Sequence, residues 1–128
     1  MKEIRFSVPL KVRASGKKNF IMNLNNYRNA HYFTLNNAKK HFHELIDIPV
    51  FAASIIKIDY GIYPASKRLF DINNVCSIID KFICDTLVER GYIPDDNIQH
   101  VPFLPSGRVV EIDKENPRCE VQITIIRH

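Results

Sequence analysis

The stretch over residues 71–91 constrains the fold more than any other part of the chain. Val75, Ile78, Ile79, Phe82, Ile83, Cys84 and Leu87 recur at helical spacing. Together they form an apolar stripe wide enough to bury two sides of one helix. Asp71 is suited to the N-cap, where a carboxylate meets free backbone N–H groups. Gly91 is a natural stop at the other end. The rest of the chain must supply the surfaces that cover such a helix.

Residues 3–13 alternate, with Ile4, Phe6, Val8, Leu10 and Val12 on one face and Arg5, Ser7, Lys11 and Arg13 on the other. Period two predicts a half-buried strand. Residues 14–32 are rich in Asn, Lys and Gly and read as a long polar loop with a short strand at 20–22. Thr34 can cap a helix over 35–46 with the stripe Leu35, Ala38, Phe42, Leu45 and Ile46, stopped by Pro49. A second strand is expected within 51–63, where Ile56, Ile58, Tyr60 and Ile62 are in phase. Residues 99–104 and 108–112 suggest a hairpin around Pro105-Ser106-Gly107. A last strand over 118–126 carries Val121, Ile123 and Ile125 inward. This order predicts an α+β fold, a mixed β-sheet with two main helices on it, in one domain of 128 residues.

A net charge of +4, with 45% hydrophobic and 25% charged residues, suits a folded soluble protein. No apolar run approaches the ~20 residues that cross a bilayer, so no membrane partner is expected. The first residues lack an apolar signal core. Cys76, Cys84 and Cys119 have no C-x-x-C spacing and read as reduced, mostly buried thiols, which suits a cytoplasmic protein. The basic balance permits nucleic-acid binding without establishing it.

Two acidic clusters flank the long helix, Asp71-Ile72-Asn73-Asn74 before it and Pro94-Asp95-Asp96-Asn97 after it. Taken singly, the first is capping chemistry and the second turn chemistry. Asp80, Lys81 and Asp85 taken singly are a solvated helix face, or pair with one another. Taken together, hard carboxylate oxygens in a basic chain point to a magnesium-dependent phosphodiesterase. Asp71-Ile72-Asn73-Asn74, then Lys81-Phe82-Ile83-Cys84-Asp85-Thr86-Leu87, then Gly91-Tyr92-Ile93-Pro94-Asp95-Asp96 resembles the RusA-like Holliday-junction resolvases. Those enzymes, often phage or prophage encoded, carry D-L-D-N, K-x-x-x-D-A-L and G-x-x-x-D-D. Asn25-Asn26-Tyr27-Arg28 resembles the family's N-terminal Asn/Arg-rich loop. The resemblance implies a dimeric endonuclease that cuts branched, four-way DNA symmetrically with Mg²⁺ or Mn²⁺. It implies a metal held by Asp71, Asn73, Asp95 and Asp96, with Asp71, Lys81, Asp95 and Asp96 as catalytic residues.

The chain departs from the family pattern twice. Asn73 stands where the family has an acid, which predicts weaker metal affinity. Four additional residues precede Lys81, which moves it ~6 Å along the axis. Asp80 is the nearby acid that would restore the missing carboxylate.

A helix over 72–90 would be about 28 Å long, whereas residues 91–95 reach at most ~14 Å. Antiparallel helices in a homodimer, seamed through the apolar stripe, would bring Asp71 of one copy beside Asp95 of the other. Arg13, Lys17, Lys18, Arg28, Lys39, Lys40, Lys67 and Arg68 are the expected phosphate-binding residues, giving affinity that falls steeply with salt. Tyr27, Tyr32 and Phe33 either anchor the polar loop to the core or stack on unpaired bases. His31, His41, His43 and His100 lack metal-ligand spacing with the cysteines, so no zinc site is expected.

Overall fold

In the computed structural model, which describes residues 2–15 and 18–128, the elements run β1 (Glu3–Val8), β2 (Lys11–Ser15), β3 (Lys18–Ile21), α1 (Leu24–Asn29), α2 (Tyr32–Leu45), β4 (Ile55–Tyr63), α3 (Ile72–Glu89), β5 (Ser106–Val109) and β6 (Arg118–Arg127). The fold is α+β with a mixed sheet, as the residue pattern predicts. The sheet order is β1-β6-β4-β5, antiparallel except for the parallel β4/β5 pair. Strand β4 alternates perfectly between buried and half-exposed residues, burying Ile56, Ile58, Tyr60 and Ile62 on one face. Its register with β6 sets Ile58 opposite Ile123 and Tyr60 opposite Val121, so one face of the sheet is continuous core.

Helix α3 lies on that buried face. Asp71 is its N-cap, with Oδ1 accepting from the Asn73 N–H at 3.0 Å. Gly91 ends it at φ 74°, a backbone conformation that favours glycine. The opposite side of α3 is covered by the β2–β3 hairpin and α2. The Phe82 ring stacks on Phe20 at 5.9 Å and meets the edge of Phe42 at 5.2 Å. All three rings are buried. The molecule is thus layered as sheet, α3, and a cap made of β2, β3, α1 and α2.

That layering corrects the expected dimer seam. Ile78, Ile79, Phe82, Ile83 and Leu87 are all buried within one chain, so the apolar stripe of α3 is covered before any partner arrives. A homodimer would have to use another surface.

Other expectations also change. Residues 3–13 are two strands of two sheets, not one strand. Pro9 has no N–H to donate, and the ladder of β1 with β6 ends at Val8. The polar loop contains α1, which Asn23 caps by accepting from the Asn26 N–H at 2.8 Å. Helix α2 starts earlier than expected because His31, not Thr34, is its cap. It ends at Leu45, which is 65% exposed rather than core, because the chain leaves the helix extended at Ile46. The hairpin is absent. Pro102 and Pro105 cannot donate to a ladder, residues 99–104 form no strand, and β5 pairs with β4 instead. All three cysteines are free and buried. No helix among the described residues is long and apolar enough to cross a membrane.

Candidate functional site

Midway along α3, Asp80 points at the central strand of the sheet. The Tyr60 hydroxyl, on a residue only 3% exposed, donates to Asp80 Oδ1 at 2.5 Å. The Cys84 thiol approaches the same oxygen at 3.9 Å. Burial raises the Asp80 pKa from its ordinary value. The Tyr60 and Cys84 hydrogen bonds oppose that shift, and the charge of Asp96 adds to it. Burial also pushes the Cys84 thiol up, with Asp80, Asp96 and Asp85 contributing in that order. Burial raises the Cys76 thiol to about 11, with help from Asp80. These thiols stay protonated and act as packing groups rather than nucleophiles.

Asp96 reaches this place because the chain after α3 is tied down at both ends. The Tyr92 N–H donates to Leu87 O, and Tyr92 O accepts from the Ala53 N–H at 3.0 Å. Ile93 is buried in the core. At the far end His100 O accepts from the Ile56 N–H at 2.9 Å. Between these ties, Asp95 Oδ1 accepts from the Asp96 N–H at 2.7 Å and Oδ2 accepts from Asn97 Nδ2 at 3.0 Å. Asp95 is therefore engaged as the turn residue that shapes the loop, while the Asp96 carboxylate stays exposed beside α3.

The other expected ligands sit farther along the helix. Asp71 is about 13 Å from Asp80 along the axis, occupied with its capping bond. Asn73 lies two turns before Asp80, about 10 Å away on nearly the same face. Among the described residues no three His, Cys, Asp or Glu side chains gather as a metal-holding group. Within one chain, then, Asp71, Asp95 and Asp96 form no cage. Asp80 and Asp96 are the two carboxylates of this region whose charges act on one another, and a hard divalent cation commonly takes one or two carboxylates and keeps several waters.

Lys81 is exposed and turned about 100° around the helix from Asp80, toward the cap. Its Nζ stands 6.0 Å from the centroid of the Tyr27 ring, and Lys39 Nζ stands 5.9 Å from the same centroid. Lys39 also meets Asp85 at 3.9 Å. Arg13, Lys18, Arg28 and Lys40 are exposed on the cap, and Lys67 and Arg68 are exposed just before α3. Lys17 lies outside the described residues. The aromatic residues divide. Tyr27 is half-buried against the core, as the anchoring reading has it, whereas Tyr32 and Phe33 are 61% and 62% exposed.

Sequence reasoning missed Tyr60 as the partner of Asp80, since period two marks it only as a core position. It also passed over a legible signal. Between Glu3 and Glu44 the chain contains no Asp or Glu at all, while holding eight of its 18 Lys and Arg residues. No family model and no curated protein matches the chain.

Proposed function

We propose that the protein is a metal-dependent endonuclease that resolves four-way or otherwise branched DNA by paired phosphodiester cuts. The observation that carries the reading is Asp80, half-buried on α3 and hydrogen-bonded by the Tyr60 hydroxyl at 2.5 Å, on the helix that leads into Gly91-Tyr92-Ile93-Pro94-Asp95-Asp96. The resemblance to RusA-like resolvases supplies the reaction class, and the exposed Arg13, Lys18, Arg28 and Lys40 of the cap supply an electrostatic reason for DNA to dock. Asp80 and Asp96 would hold the cation, with Asp71 and Asn73 available toward the helix start. Magnesium or manganese held there would polarise the scissile phosphate and lower the pKa of an attacking water. Asp95 keeps the loop in shape, Tyr60 orients Asp80, and Lys81 offers a positive charge to phosphate at the edge of the cap. Paired cuts call for a homodimer, built through a surface other than the apolar stripe of α3. Work on cellular or phage DNA would place the protein in the cytoplasm.

The test is cleavage of an end-labelled four-way junction with and without Mg²⁺ or Mn²⁺, beside a linear duplex. Paired, metal-dependent nicks on the junction alone are expected. Asp96→Asn should abolish them while keeping or tightening junction binding, because repulsion of phosphate falls. The second reading, a branched-DNA binder without turnover, is favoured by Asn73 standing where the family has an acid. Tight junction binding with no nicks in either metal would select it. Junction binding no tighter than duplex binding would sink both.

A further inference from the structure

Large exposed aromatic side chains rarely stand together unless something covers them. At the start of α2, His31, Tyr32 and Phe33 form a triangle of nearly parallel rings. Tyr32 and Phe33 are 4.4 Å apart between centroids at 28°, and His31 and Phe33 are 5.3 Å apart at 20°. Each of the three residues is exposed. The arrangement is rigid for its position. The Phe33 N–H donates to His31 Nδ1 at 3.2 Å, which puts the proton of the neutral ring on Nε2 and fixes the ring at the helix cap. The rings contribute nothing to the core, which α2 reaches through Ala38 and Phe42.

The surroundings select among occupants. The chain carries no carboxylate from residue 4 to residue 43. Arg28 closes α1 just before the rings and Lys40 is exposed farther along α2, whereas Lys39 is paired with Asp85. A second copy would bring the same positive charge against this surface, and a typical apolar protein partner would not need it. An unpaired stretch of DNA offers both complements at once, flat bases for the rings and phosphates for the cations. We infer that His31, Tyr32 and Phe33 form a stacking platform for unpaired DNA bases, separate from the acidic pair on α3. The inference rests on the reading above that this protein handles DNA, and it names the part of a branched substrate that the cap would grip.

The platform predicts a selective defect. The full chain is mixed with a labelled oligothymidylate and, separately, with a labelled blunt duplex, and binding is followed by fluorescence anisotropy. Tyr32→Ala with Phe33→Ala should weaken oligothymidylate binding about tenfold or more, the usual scale for two lost base-stacking rings, while duplex binding holds within about twofold. Tyr32→Phe keeps a ring and should keep the affinity, which separates stacking from hydrogen bonding by the phenol. Circular dichroism melts should coincide with wild type, since neither ring is buried. Equal loss on both probes, or no loss on oligothymidylate, would overturn the platform while leaving the nuclease reading intact. Oligothymidylate binding unchanged by the double variant, with a fall in particle size by light scattering, would assign the rings to self-association instead. Wild-type protein that binds neither probe nor a four-way junction would remove the DNA reading and the platform together.

Discussion

Helix α3 has two neighbours of opposite character. On the sheet side it sets a carboxylate against a tyrosine hydroxyl, with a second carboxylate close by. On the cap side it meets phenyl rings, and beyond them the exposed cations Arg13, Lys18, Arg28 and Lys40, with Glu44 near the end of α2. One helix thus stands between a half-buried carboxylate and a cationic surface. Mixing the two would cancel both fields. The separation is incomplete, because Asp85 of α3 meets Lys39 of the cap at 3.9 Å.

The largest expected effect comes from detaching the two sides. Phe82 is fully buried between Phe20 and Phe42. Phe82→Ala should lower unfolding free energy by about 3–5 kcal/mol in urea titrations. If the cap folded independently of the sheet, the variant would instead show two separate transitions, and the comparison would break. A smaller effect is expected at the edge of the sheet. A Cβ on Gly107 would stand 2.8 Å from the Cys76 sulfur. Gly107→Ala should therefore cost about 1–3 kcal/mol. In a Cys76→Ala background that penalty should largely vanish, whereas an unchanged penalty would show that the close approach is not what the glycine serves.

Asp71 sharpens the acidic side. Asp71→Ala should cost about 1 kcal/mol through the lost cap, and Asp71→Ser should recover most of it. Junction cleavage restored along with stability in Asp71→Ser would make Asp71 a cap alone. Cleavage still lost in a stable Asp71→Ser would assign the carboxylate to the reaction. The smallest effect is one of sign. Burial raises the Asp80 pKa in the folded state, so folding stability falls as pH rises from the ordinary carboxylate range through that raised value. Asp80→Asn still accepts from Tyr60 and carries no charge. It should melt higher than wild type at about pH 7, and the gain should disappear near about pH 3, below the ordinary Asp range. A gain that grew toward acid pH would show that Asp80 is stabilised as the anion, contrary to its burial.

Strands β4 and β6 and the long helix were legible because burial in them is periodic. Alternation marked β4 and β6, and the 3.6-residue stripe with Asp71 and Gly91 at its ends marked α3. What escaped depended on partners distant in the chain. Nothing local in residues 106–109 says that their neighbour is β4 rather than the segment before them. Nor does anything local say that a tyrosine in phase with isoleucines will turn its hydroxyl to Asp80. Residues 23–29 looked like a loop because no residue of that helix is buried, so its only sequence mark is the cap at Asn23. The expected dimer seam failed for a related reason. A wide apolar stripe announces that it will be covered, and the covering surface here is the cap of the same chain.

The loop bearing Asp95 and Asp96 is a hoop, tied to residues flanking Ser54 through Tyr92 and His100. Those ties, with the turn bonds of Asp95 and Asn97, reduce the freedom of the loop between them. Whatever meets Asp96 therefore encounters an acid whose position is set in advance, and little of the encounter energy goes into ordering the chain. The same rigidity limits adaptation. A ligand at this place would therefore be met more by fit than by closure of the loop.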